Sequence, residues 1–127
     1  MRTRICYFIS LLICSFQGVG EARSQADDPS REDVKRLIVR IDSTFPDKSG
    51  FGAGIVVGIV NSDVYIATAN HVVREGDKAA KEIKVQIRGY KESFAVRAAP
   101  QYSVELDLAI LIIPQASSHG IDVSAFP

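Results

Sequence analysis

The sequence has no excess of charge of either sign, because 15 Lys and Arg balance 15 Asp and Glu in its 127 residues. A neutral chain offers no electrostatic basis for binding nucleic acid, so we expect no nucleic-acid partner. The chain also has only two histidines and two cysteines, Cys6 and Cys14. This set is too small and too poorly spaced for a typical zinc site, and we expect no bound metal.

Long apolar runs are missing as well, and the longest one lies near the N-terminus. Two arginines precede an apolar stretch over residues 5–16, and small residues follow it. About 12 apolar residues are too few for a membrane span, which needs roughly 20. A basic start, a short apolar run and a small-x-small site are typical of a secretory signal peptide. We predict a signal peptide over residues 1–26, cleaved after Ala22 or Ala26, and no stable membrane anchor.

Removal of this segment leaves about 101 residues without a cysteine. A domain of that size must then be stabilised by its core alone, whereas small secreted animal domains are often held together by disulfides. We therefore expect an exported bacterial protein, either periplasmic or secreted.

The rest of the chain has the pattern of short strands. A polar leader over residues 27–36 contains a capping-box-like pair, Ser30 and Asp33, which favours one or two helical turns. Short β-branched or alternating apolar runs, separated by Gly, Pro, Asn and Asp, then predict six strands. These strands lie over residues 37–43, 51–60, 64–69, 82–88, 93–99 and 106–113, with loops at 74–81 and 100–105.

Regularly spaced short strands favour an all-β fold, either a small antiparallel barrel or a sandwich. The glycines at positions 52, 54 and 58 would allow the second strand to bend sharply, as barrel corners require. The pair Gly52 and Gly54 is followed by a strand and a hairpin rather than by a helix. It is therefore not a nucleotide-binding loop, and we expect no cofactor.

Two residues are candidates for chemistry, His71 at the end of the third strand and Asp107 at the start of the last. Asp107 begins an almost wholly apolar run, so we expect it to be partly buried and to need a partner. A carboxylate that accepts Nδ1–H from His71 would fix the imidazole tautomer and stabilise the imidazolium. The alternatives are a structural, hydrogen-bonded histidine and an aspartate that caps a turn just outside the strand.

Three segments, in this order, resemble the trypsin-like (chymotrypsin-fold) serine peptidases, in particular the cysteine-free bacterial HtrA/DegP-like type. They are Gly52-Ala-Gly54, Thr68-Ala-Asn-His71-Val-Val and Asp107-Leu-Ala-Ile-Leu. The resemblance covers residues 37–114 and implies a six-stranded antiparallel Greek-key barrel, the first of that family's two. It also implies that His71 is the general base, that Asp107 orients it, and that residues 115–127 begin the linker between the barrels.

The serine of that family has no counterpart in these 127 residues. Its Gly-x-Ser-Gly-Gly context is absent, and Ser117, Ser118 and Ser124 lack the neighbouring glycines that would build backbone oxyanion donors. We expect this chain alone to be inactive, with a polypeptide as substrate only if a second barrel completes the site.

Three hypotheses remain open. In the first, the chain is an N-terminal fragment of a serine peptidase. In the second, it is a non-catalytic, peptidase-derived binding or interaction module, which could self-associate through its exposed barrel face. In the third, it is an unrelated small secreted β-barrel, and a separation above about 6 Å between the side chains of His71 and Asp107 would favour it.

Overall fold

A computed structural model describes residues 30–126, so the predicted signal peptide lies outside the described residues. The chain begins there with a helix, α1 (Ser30–Leu37), and a second, one-turn helix, α2 (Asn70–Val73), follows the third strand. The strands are β1 (Ile38–Thr44), β2 (Ser49–Val60), β3 (Asp63–Ala69), β4 (Arg74–Glu75), β5 (Lys78–Ala79), β6 (Glu82–Ile87), β7 (Ser93–Ala95), β8 (Arg97–Ser103) and β9 (Leu108–Ile113). Two 3₁₀ turns, Ala116–His119 and Val123–Ala125, come after the last strand. No helix within residues 30–126 has both the length and the apolar character that crossing a membrane requires.

The short helix expected before the first strand is present as α1. Acidic residues occupy its first turn and basic residues its last, which complements the helix dipole. Lys35 and Glu32 form an exposed ion pair at 2.7 Å. Leu37 packs against the core, and the chain then enters β1 at the β-branched pair Ile38 and Val39, which favours a strand.

Seven strands form one antiparallel sheet in the order β7-β6-β1-β2-β3-β9-β8. Its two edges, β7 and β8, are separated in the chain by Val96 alone. The first of these edges pairs with β6 and the second with β9. Since one bent segment forms both edges, the sheet curls into a barrel. The neighbour of β3 in the sheet is β9 and not β6. This is the Greek-key order that we expect for six strands.

The strand predicted over residues 93–99 is therefore two strands, and the second continues further than expected. β8 runs through Pro100 to Ser103, where the sequence predicts a loop. Its register with β9 shifts between Ala98 and Tyr102. Proline lacks a backbone N–H, and an edge strand with an irregular register is where this loss is tolerated.

The charged segment over residues 74–81, predicted as a loop, contains the small hairpin β4–β5. Its turn passes through Gly76, whose φ of +61° lies in the left-handed region that glycine adopts readily. The last strand begins at Leu108 rather than at 106, so residues 106 and 107 belong to a turn.

The inside of the barrel is filled by aliphatic side chains. Buried and more exposed positions alternate along β1, β3 and β6, as expected for strands with one face in the core. The largest fully buried aliphatic side chains come mainly from four strands, β1, β3, β6 and β9, and include Ile41, Ile66, Ile87, Leu111 and Ile113.

The glycines of β2 do not all have the same role, and only Gly58 lies where the strand bends as expected. The register with β3 shifts between Val56 and Gly58, which places a bulge at this point. At Gly54 the backbone of β2 instead lies in close contact with the side chains of Ile66 and Ile41. A Cβ atom on it would lie 2.7 Å from Cγ2 of Ile66 and 2.8 Å from Cδ1 of Ile41, so the barrel closes around this position only without a side chain.

Candidate functional site

His71 lies on α2, the helical turn that follows β3, rather than at the end of the strand itself. The backbone N–H of Arg74 donates to the carbonyl of Asn70 and closes this turn. At its far end Val73 is fully buried, and its carbonyl accepts the N–H of Ala80 at 2.8 Å. The turn is thus fixed to the barrel, whereas the side chain of His71 remains 74% exposed.

Asp107 lies in the turn immediately before β9. The expectation that it belongs to the strand is wrong, and the alternative, a position just outside the strand, is correct. Its φ of 49° is left-handed, a conformation that Asp and Asn adopt more readily than most residues. Its carbonyl accepts the N–H of Asn70 at 3.0 Å, and Ser103 Oγ accepts the N–H of Leu106 at 3.1 Å.

The two candidate residues are in direct contact. Nδ1 of His71 lies 2.5 Å from Oδ2 of Asp107, and the backbone N–H of His71 donates to Oδ1 at 2.9 Å. One carboxylate therefore holds both the main chain and the ring of the same residue. The separation is far below the 6 Å or so that would favour an unrelated barrel with independent residues.

Hydrogen bonding outweighs burial in its effect on the pKa of Asp107. The backbone N–H of His71, followed by its ring, holds the pKa of Asp107 below the ordinary value of 3.8. The side chain is 47% exposed, so the expected partial burial is only modest. Since the carboxylate is ionised at neutral pH, it accepts a hydrogen bond from Nδ1–H of His71. In the tautomer that carries its proton on Nδ1, Nε2 has a free lone pair that can accept a proton.

An open groove lies beside His71. Phe45 and Phe51 contribute aromatic surface to it, and Phe51 is 77% exposed. Lys48 and Glu75, also in the lining, form an ion pair at 3.0 Å. The groove therefore places aromatic surface and an exposed ion pair next to the imidazole.

A row of apolar residues faces outward across four strands near the same site. Ile38 pairs with Ile55, Ile55 with Ala67, and Ala67 with Ile110. Ile38 is 47% and Ile55 40% exposed. Contiguous exposed apolar surface of this kind is typical of an interaction face.

Two of the three serines in the C-terminal segment, Ser118 and Ser124, form local hydrogen bonds through their hydroxyl groups. Ser118 Oγ donates to the carbonyl of Gln115 at 2.8 Å, and Ser124 Oγ donates to the carboxylate of Asp122 at 2.6 Å. Among residues 30–126 no serine hydroxyl is hydrogen-bonded to His71. Within the same part of the chain, no three His, Cys, Asp or Glu side chains are placed to hold a metal ion.

Gly52 and Val72 are in close contact, a relationship that the two sequence segments containing them do not reveal. A Cβ atom on Gly52 would lie 2.6 Å from Cγ2 of Val72, the residue after His71. A glycine in the interior of a strand can indicate such a close approach, and this was the available signal.

Solved structures with a similar architecture are serine proteases. The active form of the Rv3671c protease from M. tuberculosis aligns with 71% of this chain and 36% of its own, at 24% identity and a TM-score of 0.54. An inactive form of the same protein, with its serine replaced by alanine, aligns with 73% and 40%, also at 24% identity, with a TM-score of 0.51. The chain has a chymotrypsin-like fold.

This chymotrypsin-like barrel confirms the fold class that the sequence motifs imply, and the partial coverage agrees with the expectation of a single first barrel. The chain spans about two fifths or less of the length of these neighbours. At 24% identity the likeness establishes the fold and leaves the activity open. The HtrA-type protease AlgW, a serine variant with a tripeptide, is also similar, but its TM-score of 0.46 at 20% identity, over 63% of this chain and 23% of that one, is too low to support an inference. No family model and no curated protein matches the sequence.

Proposed function

We propose that this chain supplies the general base and the orienting carboxylate of a trypsin-like serine peptidase, and that a second barrel supplies the nucleophile. The observation that supports this most strongly is the contact of Nδ1 of His71 with Asp107 at 2.5 Å, beside an exposed imidazole. Activation of a serine needs a base that is held in one tautomer and is itself oriented by a third group.

In this reaction the serine hydroxyl, donated by the second barrel, hydrogen-bonds to Nε2 of His71. As its oxygen attacks the scissile carbonyl, the proton passes to Nε2, and the ionised Asp107 stabilises the imidazolium. The same proton then passes to the leaving amine when the peptide bond breaks. The oxyanion donors and the specificity pocket belong to the second barrel in this scheme.

The outward apolar row is the surface on which we expect the second domain to pack. Ile55 and Ile38 expose 40% and 47% of their surface, and burial of such residues stabilises an interface by roughly 25 cal/mol per Å² of apolar area. The row crosses β3 and β9, the strands that lead to His71 and follow Asp107. A domain that packs on it would lie next to the catalytic pair.

The same face also supports a second candidate function, a non-catalytic module that self-associates. In that case the row formed by Ile38, Ile55, Ala67 and Ile110 is the contact between two copies. We further propose that the protein is exported, to the periplasm or to the medium, through the predicted N-terminal signal.

The test of the proposed peptidase function uses the tagged gene product, expressed in its source organism and treated with a fluorophosphonate probe that reacts with activated serines. We expect the tagged polypeptide, or a chain that copurifies with it, to be labelled. His71→Ala should lower the labelling rate by about 10²-fold or more, since a general base contributes that much. Ser124→Ala serves as the matched control and should leave the rate unchanged, because its hydroxyl is bonded to Asp122.

Two outcomes would overturn the peptidase proposal. One is labelling at the same rate in the His71→Ala variant, shown by circular dichroism to be folded. The other is the absence of a labelled serine in every tagged complex. In this second case, analytical sedimentation tests the non-catalytic module. A wild-type dimer that Ile55→Asp dissociates into monomers would support self-association through the apolar row.

A further inference from the structure

The structure assigns to Gly52 the part of a positioning residue for His71, which acts through Val72. Gly52 lies on β2, and Val72 is the next residue after His71 on α2. The inference rests on the proposed function, because the exact place of His71 matters for catalysis only if the imidazole is the base.

The contact between β2 and α2 leaves no room for a side chain at position 52. A Cβ atom on Gly52 would lie 2.6 Å from Cγ2, 2.8 Å from Cγ1 and 3.3 Å from Cβ of Val72. Real Cβ atoms essentially never approach other heavy atoms within 3.0 Å. Both methyl groups are too close at once and the Cβ of Val72 is also tight, so a χ1 rotation of this stiff, β-branched residue does not relieve the clash. Relief of the clash therefore requires α2 and β2 to move apart.

Movement of the turn changes the catalytic pair directly. Val72 lies between His71 and the fully buried Val73, whose carbonyl is bonded to Ala80. The turn is therefore anchored on its far side by the core, and displacement at Val72 is transmitted to His71. Its two bonds to Asp107, at 2.9 Å and 2.5 Å, are short and specific in direction, and neither survives a shift of about 1 Å. A misplacement of that size costs about 10²-fold in rate.

The other glycines of β2 separate this role from simple packing of the barrel. Gly54 would clash with Ile66 and Ile41, which belong to the core and not to α2. Gly58 has open space around its Cβ position, and its φ is not positive. One strand thus offers a test position, Gly52, and a neutral control, Gly58, whereas a substitution at Gly54 would disturb the core.

The experiment measures the His71–Asp107 pair by NMR in the wild-type chain and in the variants Gly52→Ala, Gly52→Ala with Val72→Ala, and Gly58→Ala. The readouts are the imidazole ¹⁵N shifts with the downfield Nδ1–H resonance, and the titration of the Asp107 carboxyl carbon. In Gly52→Ala we expect loss of the Nδ1–H resonance and a shift of the Asp107 pKa toward 3.8, its ordinary value. The double variant, which removes both clashing methyl groups, should restore the wild-type signals, and Gly58→Ala should not change them.

The inference is overturned if folded Gly52→Ala keeps the wild-type signals, or if the double variant is folded and still lacks them. If Gly52→Ala does not fold, the double variant decides in the same way. These spectra need no nucleophile, so they can be read whether or not the fluorophosphonate test supports a peptidase. Failure of the proposed function and failure of this inference are therefore distinguishable.

Discussion

Asp107 is bound to His71 twice, through the backbone N–H at Oδ1 and through the ring at Oδ2. The backbone bond does not depend on the tautomer or the charge of the imidazole. It holds the carboxylate in place through a contact that is separate from the ring. The turn that presents Asp107 is itself bonded to α2 through Asn70, so the two halves of the pair are fixed to each other and not only to the barrel.

The stability of the folded chain should depend on Asp107 in acid. Since its pKa is lowered on folding from the ordinary 3.8, the unfolded chain binds this proton more readily. The stabilising contribution is complete above pH 3.8 and is lost as the pH falls through the folded pKa. Asp107→Asn removes this contribution and retains a residue that tolerates a left-handed backbone.

We therefore expect the unfolding free energy in urea to fall more steeply for the wild type than for Asp107→Asn below about pH 4. Urea denaturation of both proteins at a series of pH values measures the difference. Two curves that stay parallel over the acid range would contradict the prediction.

Gly54→Ala should destabilise the barrel. Its added methyl group would meet Ile66, Ile41 and the carbonyl of Ala67 at 3.1 Å, and overpacking of a core costs typically about 1–3 kcal/mol. Gly58→Ala is the matched control on the same strand, expected within about 0.5 kcal/mol of the wild type. Urea denaturation measures both, and equal stabilities for the two variants would show that the close approach at position 54 is relieved elsewhere.

The hairpin between β2 and β3 turns on two non-glycine residues with positive φ, Asn61 at 50° and Ser62 at 70°. The second position of such a turn favours glycine. We expect Ser62→Gly to raise the unfolding free energy by about 0.5 kcal/mol, because relief of the left-handed strain exceeds the entropic cost of glycine.

Gly76→Ala should lower the free energy of unfolding by about 1 kcal/mol. Gly76 has a φ of +61° with open space around it, so the cost comes from the left-handed backbone and not from a clash. Thermal denaturation of both variants shows whether Ser62→Gly raises, and Gly76→Ala lowers, the melting temperature. A lowered melting temperature for Ser62→Gly would mean that Ser62 contributes more than its backbone conformation.

Export should be visible at the N-terminus of the natural protein. Cleavage after Ala22 or Ala26 gives a mature chain that begins at Arg23 or Asp27, in the periplasmic or the secreted fraction. Intact-mass measurement of the purified protein distinguishes these ends. A chain that retains Met1 in the membrane fraction would contradict the signal-peptide assignment.

Local patterns were sufficient to predict most of the barrel and the contact between His71 and Asp107. The strands that contain Ile41, Ile66 and Val85 follow from alternation and β-branching, and the hairpin at Asn61 follows from its polar turn. The motifs around His71 and Asp107 also indicate the correct partners, 36 positions apart. These features depend on residues that are near each other in sequence or on a recognisable motif.

Features that depend on distant contacts were not predictable. The alternation from Ser93 onward does not show that the segment changes partner at Val96, because only the closure of the sheet imposes that bend. Asp107 looks like a strand residue between two leucines, and bonds from Asn70 and His71 hold it in a turn. The contact of Gly52 with Val72 likewise exists only once β2 and α2 are assembled.

The bend at Val96 also determines how another polypeptide can engage this barrel. An open sheet presents a row of unpaired backbone groups to which a foreign strand can add. Here the first and last strands of the sheet are one segment, and the N–H of Val96 is already bonded to the carbonyl of Ile83. Among the described residues the terminal strands β7 and β8 each keep one side without a strand partner, but β7 has only three residues and β8 contains Pro100, which has no N–H to donate. Side chains on the outer surface therefore offer a partner more than either edge does.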